Sequence, residues 1–364
     1  VKTYKIAVLP GDGIGPEITR EARKALDAVK TQVRFECVEA PFGALAYLEC
    51  GSAFPEETKK ICDESDAILK GPIGLSKEES DQIPVEERPE RGAALPLRRR
   101  YDTFANYRPV VLPPERVRFS PLKAEVVGDG VDLLMLRELV GGLYFGNKER
   151  GKDENGRRYV HETLEYDEML IERIVRVGFE EASKRKGVLH NIHKSNVMLS
   201  SVLWNQVLEE VALDYPDIEV HHLLVDAAAT ALCLDPTQFD VMVMENMFGD
   251  ILSDLAGGLL GSLGLMPTAG VGPEKAYYEP AHGSAPDIAG RGIANPYSMI
   301  GSVAMMMETS FGLTAEARSI WSALDQVFAD GYATPDLAAM DDEVQALNTS
   351  EFGDEVVKRL KADA

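Results

Sequence analysis

The chain has no long apolar run, no paired-cysteine motif and no excess of positive charge. No stretch reaches the roughly 18 consecutive apolar residues of a membrane-spanning helix, so no membrane span is expected. The first residues lead straight into a β-prone segment without signal or transit-peptide character in the sequence as given. Only four cysteines occur, Cys37, Cys50, Cys62 and Cys233, in neither a C-x-x-C pair nor a dense framework. Free thiols in a reducing cytoplasm are therefore expected rather than a disulfide scaffold. Lys and Arg number 38 against 60 Asp and Glu, a formal charge of −22. Nucleic acid and anionic membrane surfaces both need a basic footprint, so neither is an expected partner. The chain also lacks internal repeats and low-complexity tracts. What is there is ordinary for a folded protein: 364 residues, 45% hydrophobic and 27% charged. That length suffices for two domains or one large α/β domain.

The opening reads as strand, turn and helix. Tyr4 to Leu9 is β-prone, and Pro10-Gly11-Asp12-Gly13-Ile14-Gly15-Pro16 breaks the chain. Pro16 suits a first helical turn, where its missing N–H costs nothing. Ile18, Ala22, Ala25, Leu26 and Val29 then recur at helical spacing. Val33 to Val38 and Asp66 to Leu69 read as further strands, and the alternation predicts parallel βαβ units. Ser76 to Pro89 is charged and punctuated by proline, which reads as a mobile surface segment. Val131 to Leu136, Val188 to Ile192, Val220 to Val225 and Asp240 to Met244 read as strands. Helices are expected over Asp167 to Arg185, Leu199 to Leu213 and Ile251 to Leu263, with a mainly helical tail from Ser298. Gly141 to Tyr159 reads as an excursion or arm.

Several residue groups could carry chemistry. The first glycine cluster is not G-x-G-x-x-G, because its third glycine comes one position early, so a structural turn and a cofactor contact both stay open. Asp250 and Asp254, four apart on one helix face, and Asp226 at the end of an apolar strand are the hard oxygen ligands that Mg²⁺ or Mn²⁺ prefers. A helix cap and solvated carboxylates are the plainer alternative. Arg98, Arg108 and Arg137 offer planar forks for carboxylates. Arg137 ends an apolar run and so needs a partner or a ligand. Lys194 follows a β-like run, where partial desolvation would suit a general base and a surface position is the ordinary meaning. Residues 280–296, with His282, Asp287 and Asn295, form a polar Gly-Ala-Pro loop that could wrap a ligand.

Six segments, LPGDGIGPE, FANYRP, RELVGGLYFG, HKSNV, MFGDILSD and HGSAPDIAGRGIANP, follow one another from residue 9 to residue 296. Together they resemble the isocitrate/isopropylmalate (β-decarboxylating) dehydrogenase family, and the isopropylmalate branch most, over nearly the whole chain. The resemblance implies a two-domain α/β fold that is not Rossmann, with a large mixed sheet flanked by helices and a protruding arm. It implies a discontinuous NAD-binding domain, 1–108 plus 262–364, and a substrate, metal and dimerisation domain, 109–261, with the arm near 141–165. It implies Tyr144 and Lys194 as the acid/base pair, and Arg98, Arg108, Arg137 and Asp226 as substrate contacts. It implies Asp226, Asp250 and Asp254 as ligands of Mg²⁺ or Mn²⁺. Ile14, His282, Gly283, Ser284, Ala285, Pro286, Asp287, Ile288 and Asn295 would contact the cofactor. An acidic residue at Asp287 implies NAD, since a 2′-phosphate would repel it. A cytoplasmic homodimer is implied, with Lys194 and Asp226 completing the neighbouring subunit's site.

The expected reaction is NAD-dependent oxidative decarboxylation of a 2-hydroxy dicarboxylate, 3-isopropylmalate to 4-methyl-2-oxopentanoate in leucine biosynthesis. Some positions depart from the branch. Ala93-Ala94 stands where leucines are usual, His193 where aspartate is usual, and Glu245 where a small residue is usual. Smaller side chains enlarge an alkyl pocket, so homoisocitrate, D-malate, tartrate and larger alkylmalates are alternative substrates. A catalytically silent regulatory subunit of the same fold is the alternative of another class, opposed by the retention of Tyr144, Lys194 and all three aspartates.

Overall fold

The computed structural model describes residues 2–362; positions 1, 363 and 364, which bound the expected cofactor domain, lie outside the described residues. The strands are β1 (Thr3–Leu9), β2 (Arg34–Glu39), β3 (Ala67–Lys70), β4 (Ala105–Leu112), β5 (Val131–Glu138), β6 (Lys148–Lys152), β7 (Arg158–Glu162), β8 (Val188–His193), β9 (Glu219–Leu224), β10 (Val241–Met244), β11 (Pro267–Val271), β12 (Ala276–Pro280) and the two-residue pair β13 (Tyr332–Ala333) and β14 (Gln345–Ala346). Ten of them form one sheet in the order β2-β1-β3-β12-β11-β4-β5-β10-β8-β9. Residues 3–112 and 267–280 supply β2 through β4 in that order, and residues 131–244 supply β5 through β9. The two sequence regions therefore meet at the β4–β5 pair, which is antiparallel and runs from Ala105↔Glu138 to Leu112↔Val131.

The sheet is mixed, as expected from the resemblance, but the βαβ expectation covers only its flanks. β1 is parallel to β2 and β3, and β10 is parallel to β5 and β8. In the middle β11 runs antiparallel to both β12 and β4. β3, with Ala67-Ile68-Leu69-Lys70, and β10, with Val241-Met242-Val243-Met244, are buried along their whole length, as strands covered on both faces must be. The helix Gly15–Ala28 buries Ile18, Ala22, Ala25 and Leu26 and packs on the helices Thr349–Ala362 and Tyr297–Phe311. Farther along the sheet, against β5, β10 and β8, the helix Glu168–Ser183 starts where the Asp167 carboxylate accepts the Leu170 N–H at 2.8 Å, a side-chain N-cap.

Three local expectations need correction. Residues 76–89, expected as a mobile surface segment, carry local helical order that the sequence reading did not foresee: Ser76 and Glu79 close a capping box on the short helix Lys77–Ser80. A wide helical turn over Pro89–Ala94 then feeds the helix Leu95–Arg100, which carries Arg98. Asp226 does not end a strand; it lies in the first turn of the helix Val225–Leu234. The helix bearing Asp250 and Asp254 starts earlier than expected, at Asn246, and ends at Leu259. The arm region contains the two-stranded ribbon of β6 and β7. Cys37, Cys50, Cys62 and Cys233 are all unpaired. No helix among the described residues is long and apolar enough to cross a membrane.

His190 on β8 gives the fold an acid-sensitive point. It is 5% exposed, stacked on His221 at 5.0 Å and edge-on to Phe239 at 4.7 Å. Burial first, and then His221, push its pKa down to about 4, against weaker opposition from Asp240 and Glu219. The folded protein keeps this imidazole neutral, whereas the unfolded chain takes a proton below its ordinary value near 6.5. Stability is therefore lost as pH falls from about 6.5 towards 4. In urea unfolding at pH 7 and pH 4.5, wild type should lose about 2–3 kcal/mol more than His190→Leu, which cannot titrate.

Candidate active site

The β4–β5 pair presents alternate side chains to one face, and its in-register partners Asn106 and Arg137 share that face with Arg108. The helix Asn246–Leu259 lies over them. Arg137, only 2% exposed, donates through Nε and Nη2 to Asn246 Oδ1 at 3.1 and 2.8 Å, and through Nη1 to Asp250 Oδ1. Arg108 donates to Asn106 Oδ1 and Ser253 Oγ, each at 2.7 Å, and to Asp254 Oδ1 at 3.3 Å. Burial first, and then the Arg108 charge, lower the Arg137 pKa to about 10, so it remains cationic near neutrality. Arg98 approaches from the helix Leu95–Arg100 and donates from Nε to the Tyr277 hydroxyl at 3.2 Å.

Tyr144 follows the glycine turn after β5 and donates its hydroxyl proton to Asp250 Oδ2 at 2.8 Å. Burial and that hydrogen bond push the phenol up to about 12, so Tyr144 holds its proton and can serve as an acid. Burial pushes the Asp250 carboxyl up, but Arg137, Arg108 and the Tyr144 hydroxyl outweigh it and leave the group below its ordinary value. Asp254 goes the other way, because burial exceeds the attraction of Arg108. Three arginines, one tyrosine and two aspartates thus converge, with both carboxylates one helical turn apart. They fit a hard divalent cation chemically. Among the described residues no cluster of three or more carboxylate, histidine or cysteine side chains that could hold a metal occurs within the chain.

Lys194 and Asp226 form a separate pair. Lys194 Nζ donates to Asp226 Oδ1 at 2.6 Å, and the Asp226 side chain is 64% exposed. No hydrogen bond or ion pair links them to the arginine cluster among the described residues. Exposed apolar side chains lie nearby in sequence on both sides: Val197 and Leu199 beyond Lys194, Leu234 at the end of Asp226's helix, and Ile251 beside Asp250.

The loop 281–296 has no regular structure and docks on the first glycine turn. Ile14 N–H donates to the Ser284 carbonyl at 2.8 Å, and Ser284 Oγ donates to the Gly74 carbonyl. A Cβ on Gly13, whose φ is +55°, would sit 2.0 Å from the Ser284 oxygen, so only glycine allows this approach. His282 shares hydrogen bonds with the Gly283 carbonyl and Ser298 Oγ, and burial lowers its pKa. Asn295 accepts from Tyr297 N–H at 3.0 Å. Asp287 is exposed on the same loop, among Gly283, Ala285, Pro286 and Ile288.

Two departures from the branch have local structural explanations. His193 Nδ1 accepts the Ser195 N–H at 3.2 Å, stabilising the turn into Lys194. Glu245 caps the helix that carries both aspartates, accepting the Phe248 N–H at 3.0 Å. Sequence reasoning also passed over several supporting residues. Asp12 is fully buried and accepts N–H bonds from Ala44, Leu45 and Gly74 at 3.0, 2.9 and 2.7 Å. It thereby fastens the glycine turn to two other loops. Asn106 sits two residues before Arg108 on one strand, and Asn246 four before Asp250 on one helix; those spacings were the available signal. Glu279, paired with Lys70 behind Arg98, carried no sequence signal.

The isocitrate/isopropylmalate dehydrogenase family pattern matches residues 5–356. A 3-isopropylmalate dehydrogenase of Thermotoga maritima is 50% identical over 359 residues, covering 98% of this chain and 99% of its own. One of Syntrophotalea carbinolica is 48% identical, covering 99% of each. Among solved structures, an isocitrate dehydrogenase from Methylococcus capsulatus superposes with a TM-score of 0.87 at 34% identity, covering 98% of this chain and 99% of its own. A β-decarboxylating dehydrogenase from Thermococcus kodakarensis in its apo form gives 0.78 at 33% identity, covering 99% and 96%.

The helix can lie this close to Arg137 because residue 249 has no side chain. A Cβ there would stand 2.5 Å from Arg137 Cγ and 2.6 Å from its Cβ. Gly249→Ala should push the guanidinium out of register with Asn246 and Asp250 and destabilise the fold by about 1–3 kcal/mol. Urea unfolding measures it; an unchanged midpoint would show that the arginine shifts at no cost.

Proposed function

The chain belongs to the isocitrate/isopropylmalate dehydrogenase family, and we propose that it oxidatively decarboxylates 3-isopropylmalate to 4-methyl-2-oxopentanoate with NAD⁺ in leucine biosynthesis. It is a β-decarboxylating dehydrogenase, a class that uses a pyridine nucleotide and a divalent metal. The observation that carries the substrate is half-identity to 3-isopropylmalate dehydrogenases across essentially the whole length, together with an arginine cluster that suits a dicarboxylate.

In this reading Arg98, Arg108 and Arg137 hold the malate carboxylates through charge-assisted, planar contacts. Asp250 and Asp254, with Asp226 of the partner subunit, would hold Mg²⁺ or Mn²⁺, which when bound supplies Lewis-acid polarisation of the substrate oxygens. NAD⁺, when bound along Ile14, residues 282–288 and Asn295, supplies the hydride acceptor. Lys194 of the partner subunit removes the hydroxyl proton as the alcohol is oxidised. Tyr144, whose raised pKa keeps it protonated, returns a proton to the carbon that loses CO₂. The exposed pair Lys194–Asp226 and the apolar side chains beside it support a homodimer whose subunits exchange these residues. The unpaired cysteines accord with a cytoplasmic location.

NADH appearance with Mg²⁺ or Mn²⁺ over a panel of 3-substituted malates tests the reading. 3-Isopropylmalate should have the highest kcat/KM, and dominance of homoisocitrate or D-malate would overturn it. Lys194→Ala should reduce turnover by about 10²-fold or more; wild-type turnover would remove Lys194 from the base role. Asp287→Lys should abolish the preference for NAD over NADP, because a cation there attracts the 2′-phosphate. Unchanged discrimination would sink the Asp287 assignment.

A further inference from the structure

Two segments carry reacting groups assigned above, and one hydroxyl touches the surroundings of both. The turn Gly142–Tyr144 delivers Tyr144, and the helix Asn246–Leu259 delivers Asp250 and Asp254. Tyr166 stands between them, one residue before the Asp167 N-cap. Its hydroxyl donates to Glu138 Oε2 at 3.0 Å and accepts the Asn246 N–H at 3.0 Å, and Glu245 Oε2 lies 3.4 Å from it. Glu138, fully buried at the end of β5, also accepts the Val140 and Gly141 N–H groups, each at 2.8 Å. Through one carboxylate, the Tyr166 hydroxyl therefore joins the first residue of the helix to the glycine turn. Burial first, and then the Glu138 charge, hold the phenol well above its ordinary value, so it keeps the proton this arrangement needs.

The fit is close on the turn side. A Cβ on Gly141 would stand 2.7 Å from the Tyr166 ring, and one on Gly142, whose φ is +72°, 2.6 Å from its hydroxyl oxygen. The ring packs edge-on against Trp204 at 5.7 Å. Turn and helix have two further ties. Asn246 Nδ2 donates to the Gly141 carbonyl at 2.9 Å, and Tyr144 donates to Asp250 at 2.8 Å. The second tie cannot last through the proposed reaction, since Asp250 would hold the cation and Tyr144 gives up its proton. The Tyr166 hydroxyl takes part in neither event and is free to hold the register throughout. Loss of an outer hydrogen bond of this kind ordinarily costs about 10–100-fold in metal affinity or activity.

We infer that Tyr166 is a positioning residue for the reaction, its hydroxyl keeping Tyr144 and the two aspartates in one register. The inference rests on the function proposed above. Tyr166→Phe keeps the ring and removes only the hydroxyl, with circular dichroism and urea unfolding reporting its fold. At saturating metal its kcat on 3-isopropylmalate should fall about tenfold or more. The substrate KM should change by less than about threefold, because the arginines stay in place. Mn²⁺ affinity, read by electron paramagnetic resonance without substrate or NAD⁺, should fall about tenfold. Amide exchange should quicken in both 140–146 and 246–252 and stay unchanged in the helix Gly15–Ala28. A merely structural tyrosine would lower the urea midpoint and leave kcat and Mn²⁺ affinity at wild-type values, and that result would overturn the inference. So would faster exchange confined to one of the two segments. A wild-type enzyme that turns over no 3-substituted malate would count against the proposed function instead, because metal affinity and exchange report on Tyr166 without substrate.

Discussion

A guanidinium shut away from water must have its charge met and its donors occupied, and much of the arginine–aspartate cluster follows from that requirement at Arg137. Its strand places it beneath a helix, so the helix must bring an acceptor and a counter-charge to fixed positions. Asn246 and Asp250 do this one turn apart, and Gly249 between them gives the arginine stem its room. Asp250, held ionised by Arg137 and Arg108, in turn accepts from Tyr144. The same carboxylate that neutralises a buried cation therefore keeps a phenol protonated and fixed beside it.

The seam between β4 and β5 turns this local arrangement into a site built from distant parts of the chain. β4 continues the strands of the two chain ends, and β5 begins those of the middle. Arg108 and Arg137 stand on adjacent strands of that pair, while Arg98 and Tyr277 come from the side that carries the loop 281–296. The first glycine turn and that loop are locked together by Ile14, Ser284 and Gly74, with Asp12 as the buried fastener. A ligand touching both the arginines and this loop would bridge the two sides of the seam.

How much of this was legible depended on whether the information was local. The helices over Asp167 to Arg185 and Leu199 to Leu213 were placed within a residue or two, because amphipathic spacing is a property of the segment itself. β4, β11 and β12 were not read as strands. Their sequences, ANYRPVVL, PTAGV and AYYEP, mix charge, proline and glycine, and only pairing with one another and with β5 makes them a sheet centre. The short helices of residues 77–94 were missed for a similar reason: a charged, proline-rich segment looks unstructured until its capping box and its delivery of Arg98 are seen. At the site, the residue types of the arginines, Tyr144 and the aspartates were legible from motifs. The split of Lys194 and Asp226 from Asp250 and Asp254 within one chain was not deducible from spacing, because it depends on which faces two separate helices expose.

The acidic surplus takes on a different meaning once the charges are placed. A chain of net −22 is a poor long-range attractor of dicarboxylates, yet its candidate site concentrates three arginines whose screening by solvent is slight because two of them are almost wholly buried. Salt weakens the interaction between exposed charges more than that between buried ones. In the proposed reading, capture of a dicarboxylate is thus decided at short range, where Arg108 and Arg137 dominate, and the surface charge governs the approach.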